Sequence, residues 1–269
     1  MKYFKEQSYE LFGITRQAYH QRQNAMIAAF LHDELICGAV RDIRKSQPRV
    51  GGRKLQHMLG ELGFAVGRDK LFAILRTNNL LVRPQRQYRK TTNSFHRFRR
   101  HPNLIKDLQV NRPNQVHVCD ITYVATLEGF CYLALITDLY SRKIVGWDLS
   151  ESLAIEGCQR ALRMALRGVK DPQDLIHHSD RGIQYCSDDY VDILKQHGVR
   201  ISMTEENHVY ENAIAERVNG ILKTEFLLGQ TLQSFEVARK LVRQAIKIYN
   251  EQRLHTSLDY QTPESRYAA

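Results

Sequence analysis

The chain has 269 residues, 43% hydrophobic and 25% charged, which is ordinary for a folded protein with one large or two small buried cores. Its net charge of +10 is uneven: residues 1–106 carry 21 Lys/Arg against 7 Asp/Glu, and residues 107–269 carry 18 against 22, so a basic arm precedes a near-neutral body. Five scattered cysteines without a CxxC pair argue against a disulfide framework or zinc cluster, and no apolar leader or membrane-length apolar run is present, so a soluble cytoplasmic protein with no membrane partner is expected.

Ile27, Leu31, Leu35, Ala39 and Ile43 repeat near 3.6 residues, which predicts a long amphipathic helix over 24–45, ended by Ser46-Gln47-Pro48. Two shorter helices are expected at 52–62 (Leu55, Met58, Leu59, Leu62) and 68–78 (Leu71, Phe72, Leu75), with Gly63 and Gly67 between them. Residues 1–82 therefore read as an all-α, helix-turn-helix-like DNA-binding region whose second helix would enter the major groove, the plainer reading being an αα-hairpin. Residues 83–110 read as a basic linker. Within it Arg83, Arg86, Arg89, Lys90, Arg97, Arg99 and Arg100 stand without an acid and with Tyr88, Phe95 and Phe98 interleaved, a pattern suited to phosphate neutralisation and base stacking.

From Gln115 the character changes. Strands are expected at 116–125, 130–137 and 143–149, joined by turns at Gly129 and at Asp138-Leu139-Tyr140-Ser141. A helix at about 153–168, a strand at 174–179, a helix at about 187–197, a short strand at 199–202 and a helix at about 211–226 follow, and a further helix at about 234–250 precedes a short tail. Three antiparallel strands and then alternating helix and strand is the order of an α/β, ribonuclease H-like core. The core is assigned to residues 111–230, and 231–269 to a C-terminal helix and tail.

In that topology Asp120 lies on the first, central strand, Asp180 just past the fourth, and Glu216 on the last core helix. Carboxylates gathered in this way form a hard-oxygen site for Mg²⁺ or Mn²⁺, and two such ions can serve an in-line phosphodiester displacement. Other acids have simpler roles: Asp138 and Asp148 flank a hairpin, and Asp188 and Asp189 fit a helix N-cap. Asn212 lies one turn before Glu216 and Lys223 two turns after, so a shared helix face that contacts DNA is expected, against a solvated face as the plainer reading. His178 shares a strand side with Asp180 and can support it or simply pack in the core. Arg181-Gly182 can approach a phosphate.

The segments Val118-Cys119-Asp120-Ile121-Thr122-Tyr123, His178-Ser179-Asp180-Arg181-Gly182-Ile183-Gln184-Tyr185 and Glu211-Asn212-Ala213-Ile214-Ala215-Glu216-Arg217-Val218-Asn219-Gly220, with 35 residues separating Asp180 from Glu216, resemble the three signature blocks of the retroviral-integrase-type core. More closely they resemble bacterial insertion-sequence transposases, in particular the product of the second reading frame (OrfB), and Tyr249-Asn250-Glu251-Gln252-Arg253-Leu254-His255 with Thr262-Pro263-Glu264 resembles that family's C-terminal pattern. Cys119, where relatives often have Thr, departs from the pattern on the strand face opposite Asp120. The resemblance implies that Asp120, Asp180 and Glu216 are Asp-Asp-Glu ligands of two Mg²⁺ or Mn²⁺ ions, and that the activity is DNA nicking at element ends followed by strand transfer. It also implies double-stranded DNA as partner, a homo-oligomer on that DNA in the bacterial nucleoid, and action as a fusion with, or beside, the upstream-frame product (OrfA). A ribonuclease H-like nuclease without strand transfer and a non-catalytic DNA-binding regulator are the alternatives.

Overall fold

A computed structural model of the chain describes residues 13–82, 101–205 and 212–269. The basic run at Arg83, Arg86, Arg89, Lys90, Arg97, Arg99 and Arg100 lies outside them. The chain divides into two units, Met1–Ser46 with Val50–Arg83 and Gln47–Arg49 with Pro84–Ala269.

The first unit holds α1 (Arg16–Ser46), α2 (Gly52–Glu61) and α3 (Arg68–Thr77). Its core joins Ile36, Cys37 and Val40 of α1 to Leu55 and Leu59 of α2 and Leu71 and Leu75 of α3. Past the end of α2 the chain turns at Gly63, whose φ of +87° is open to glycine at no steric cost; the Phe64 amide donates back to the Leu59 carbonyl at 2.8 Å and the Gly63 amide to that of Gly60 at 3.0 Å, which satisfies two of the last carbonyls of the helix. The expected helix at 24–45 starts earlier, at Arg16. Its apolar stripe is also only half used, since Ile27, Leu31 and Leu35 stay 58%, 56% and 62% exposed. Periodicity identified the helix correctly, but within this unit α2 and α3 bury α1 only from Ile36 onward.

The second unit is built on a five-stranded sheet of order β3-β2-β1-β4-β5, with β1 (Val116–Thr126), β2 (Gly129–Asp138), β3 (Ile144–Ser150), β4 (Ile176–Ser179) and β5 (Arg200–Met203). β1, β2 and β3 form an antiparallel meander, and β4 and β5 add parallel to β1. Helices cover both faces. α4 (Ile155–Leu166), the short α5 (Ile183–Cys186) and α6 (Asp188–Gln196) pack on the side of Cys119, Ala134 and Ile136. α7 (Ala213–Glu225) and α8 (Phe235–Glu251) pack on the side of Val124, Leu133 and Leu135. Gly146 lets β3 meet α4 closely, because a Cβ there would collide with the Ala161 carbonyl. A last helix, α9 (Pro263–Ala268), was not expected; Thr262 caps it by accepting from the Ser265 amide at 3.1 Å.

Three expectations need correction. Ser187, not an aspartate, is the N-cap of α6, and Asp188 and Asp189 occupy its first turn, where a negative charge suits the helix dipole. Residues 101–110 are not free linker: the Leu104 amide donates to Ser202 Oγ at 2.9 Å, and Ile105 and Val110 pack against Val116, Val118 and Ile176. Residues 231–269 are not separate from the core, since Ala238, Val242, Ala245, Ile246 and Tyr249 of α8 share one cluster with Val218, Ile221 and Leu222 of α7. A helix with a single apolar face of that size has to bury it against the sheet.

Candidate active site

Strand register brings the first two carboxylates together. β1 and β4 run parallel with Cys119 opposite Ser179, so Asp120 and Asp180 are the next residues on neighbouring chains, which lie about 5 Å apart in a sheet. Asp120 Oδ1 accepts from the Ile121 amide at 2.8 Å, and Oδ2 accepts from Asn219 Nδ2 at 2.7 Å. Asp180 Oδ1 accepts from the Gly182 amide at 3.0 Å. Gly182 has an ordinary φ of −64°; it matters for space, because a Cβ would come within 2.9 Å of that same oxygen.

Glu216 is exposed in the first turn of α7, three residues before Asn219, so the hydrogen bond from Asn219 to Asp120 swings the Glu216 face over the sheet. The carboxylates feel one another. Burial and then Asp180 push the Asp120 carboxyl from 3.8 up to about 7, with Glu216 adding a smaller push against the hydrogen bonds from Asn219 and Ile121. Glu216 is raised by burial and then by Asp180. Among the described residues, no three His, Cys, Asp or Glu side chains are drawn into a ready metal cage. Asp120 and Glu216 are each pushed up by the charge of Asp180, a gathering of carboxylate oxygens whose hard chemistry suits a divalent cation.

The other expected site residues take different places. Asn212 is buried at the start of α7, where its amide donates to the Cys119 carbonyl at 3.1 Å; it ties α7 to β1 and is not part of a solvent-facing surface. The Lys223 ammonium lies 4.0 Å from the Tyr123 ring centroid, and burial lowers its pKa while Asp120 opposes that shift. Arg181 donates to the Thr204 carbonyl at 2.8 Å. His178 is fully buried with Nδ1 2.8 Å from Ser202 Oγ, which links β4 to β5. Beneath the site His177 Nε2 lies 3.0 Å from Tyr190 Oη and 3.3 Å from Cys119 Sγ. Burial pushes His177 down to about 3, so the layer is uncharged at neutral pH. Asn219 escaped the sequence reading, although its spacing of one turn from Glu216 was a usable signal.

Residues 110–208 and 197–263 each match a family described as an integrase core domain. The chain is 38% identical over 258 residues, 94% of its length and 95% of the relative's, to the insertion element IS600 uncharacterized 31 kDa protein of Shigella sonnei. It is 34% identical over 253 residues, 93% of its length and 83% of the relative's, to transposase InsF for insertion sequence IS3A of Escherichia coli K12. The chain belongs to the insertion-sequence transposases with an integrase core. It is thus a transposase of the polynucleotidyl-transferase type. A cryo-EM structure of a simian T-cell lymphotropic virus intasome in complex with PP2A regulatory subunit B56 gamma superposes with a TM-score of 0.52 at 15% identity, over 86% of this chain and 74% of that one, and so shares its fold.

The C-terminal pattern of the transposase proves to be structural glue for this site. Asn250 Oδ1 accepts from the Ile144 amide at 2.9 Å, and its Nδ2 donates to the Ile144 carbonyl at 3.0 Å. Tyr249 Oη donates to the Arg142 carbonyl at 3.0 Å. Arg253, 3% exposed, grips Glu225 at the end of α7 through Nε at 2.9 Å and Nη2 at 2.7 Å. The helix that carries Glu216 is therefore anchored at its start by Asn212, in its middle by Asn219 and at its end by Arg253.

Proposed function

We propose that Asp120, Asp180 and Glu216 are the Asp-Asp-Glu set with which this transposase nicks DNA at the ends of its element and transfers the freed strand to a target. The observation that carries the reading is the parallel register of β1 with β4, together with the Asn219 hydrogen bond that turns α7 toward Asp120. The oxygens of the three carboxylates would hold Mg²⁺ or Mn²⁺, which would supply charge stabilisation for a phosphodiester displacement. In the first step water oxygen bonds to phosphorus, the bond from phosphorus to the 3′ oxygen breaks, and a 3′-hydroxyl is released. In the second step that hydroxyl attacks a target phosphodiester and displaces its 3′ oxygen, so no covalent protein intermediate is needed. Asn219 and the Ile121 amide orient Asp120 and favour its charged form against the opposing push of burial and Asp180, Gly182 leaves room for the Asp180 carboxylate, and Lys223, which feels the charge of Asp120, would meet a phosphate entering the site.

The wider assembly belongs to the same proposal. α3 would dock on duplex DNA through the exposed Arg68, Lys70 and Arg76, the basic run at 83–100 would follow the backbone, and Arg181 would meet a phosphate beside Asp180. Homo-oligomers would form on paired element ends in the bacterial nucleoid, with the upstream-frame product as partner or fusion.

The test is incubation of the full chain with element-end duplex and Mn²⁺, scored for nicked and joined strands. Wild type should yield both; Asp180→Asn and Glu216→Gln should yield neither while still retaining DNA in a shift assay. Nicks without joined strands would make it a nuclease, and undiminished products from either variant would remove these residues from the chemistry.

A further inference from the structure

The second unit has more acids than bases along 107–269, yet it must hold a polyanion. Several of its cations are already neutralised: Arg112 pairs with Asp174, Lys143 with Glu264, Arg160 with Asp148 and Arg253 with Glu225. α8 is different. Arg239, Lys240, Arg243 and Lys247 are all exposed, and among the described residues none of the four makes an ion pair. At 100° per residue they fall within an arc of about 100° and a length of about 12 Å. Glu236 and Glu251 bracket the row from the two ends of the helix, one turn before Lys240 and one turn after Lys247. The opposite face of α8 is the buried one, carrying Ala238, Val242, Ala245 and Tyr249.

We infer that this outer face of α8 is a DNA-backbone track of the catalytic unit. The inference deepens the reading of the chain as a DNA transposase and rests on it. α8 shares its buried cluster with α7, so the stripe stands on the sheet face that carries Glu216 and Asn219, and a duplex engaged there can continue along α8. An unpaired row of cations about two helical turns long suits consecutive phosphates of a duplex, which presents one charge per about 1.7 Å of axis. The fit is to phosphate and not to bases, since the row holds only long cationic side chains at helical spacing and nothing that reads a groove edge. Arg163 of α4 and Arg167 just after it are also exposed, but on the opposite face of the sheet, which supplies the control.

The experiment measures binding of the full chain to a mixed-sequence duplex by fluorescence anisotropy over a range of salt concentrations. Arg239→Glu/Arg243→Glu/Lys247→Glu should weaken binding at least ~10-fold at low salt and reduce the slope of log affinity against log salt by about 3. The neutral triple Gln variant should reduce the slope similarly with a smaller loss of affinity, and it decides the matter if the Glu variant melts early. Arg163→Glu/Arg167→Glu should leave the slope unchanged. A triple variant with the wild-type slope overturns the inference while leaving the transposase reading intact, as does an equal effect of the α4 control, which would reduce the result to net charge. Unaltered DNA binding with an altered sedimentation coefficient would assign the stripe to a protein contact and also overturn it. Failure of the wild type to retain duplex at all would remove the DNA reading beneath it.

Discussion

Neutralising Asp180 should stabilise the metal-free protein, and do so only where its neighbours are ionised. Asp120 is raised from 3.8 to about 7, chiefly by burial and next by Asp180. The folded chain therefore keeps a proton that the unfolded chain has released between about pH 4 and 7, and stability falls as pH rises through that window. At about 1.4 kcal/mol per unit the ceiling is about 4 kcal/mol, and solvent screening of a partly exposed carboxylate reduces it to about 2–3. Burial remains in Asp180→Asn, but the repulsion on Asp120 and on Glu216 goes, which should return about 1 kcal/mol. Asparagine keeps an oxygen to accept from the Gly182 amide. For a body of this size the gain corresponds to a Tm rise of roughly 2–4 °C. Melts of the full chain in chelator across pH 4 to 8.5 should show that rise at pH 8, fading toward pH 4, and excess Mg²⁺ should then stabilise wild type more than the variant. Equal melting at pH 8, or a gain undiminished at pH 4, would show that the three carboxylates do not repel one another as the structure implies.

Asn219→Ala removes a 2.7 Å bond to a carboxylate oxygen, an interaction of about 1.5–3 kcal/mol when that oxygen is ionised, and should raise the Asp120 carboxyl further, because the bond opposes the push of burial. The Mn²⁺ concentration for half-maximal DNA cleavage should rise roughly tenfold near pH 6.5 and recover toward wild type at higher pH; a pH-independent loss would mean that Asn219 only packs. Arg253→Ala leaves Glu225 half-buried without its bidentate partner and should lower stability by about 3 kcal/mol or more in denaturant melts. Arg253→Met with Glu225→Leu should recover much of that loss.

Much of this architecture was legible before any coordinates. The meander, the two parallel additions and the helices between them follow from local periodicity and turn residues, and each core strand was placed within a residue or two. The positions of Asp120 and Asp180 follow from strand order, because a parallel β4 beside β1 has to bring the ends of both strands together. The region around α7 was less legible. Asn212 and Asn219 look alike on a helical wheel relative to Glu216, yet one is buried against a carbonyl of β1 and the other grips the Asp120 carboxylate. Helical spacing says which residues share a face; the tilt of α7 across the sheet decides what that face meets.

The amino-acid order by itself determined the charge division between arm and body, the sequence of elements and the acids available for metal chemistry, since those depend on composition and on contacts only a few residues apart. Tertiary packing alone decided that Tyr249, Asn250 and Arg253 brace β3 and α7, that α8 completes the core, and that the apolar stripe of α1 near Ile27 stays exposed. Those outcomes rest on pairings such as Asn219 with Asp120, 99 residues apart, whose energies exist only once the sheet has closed and excluded water from both partners.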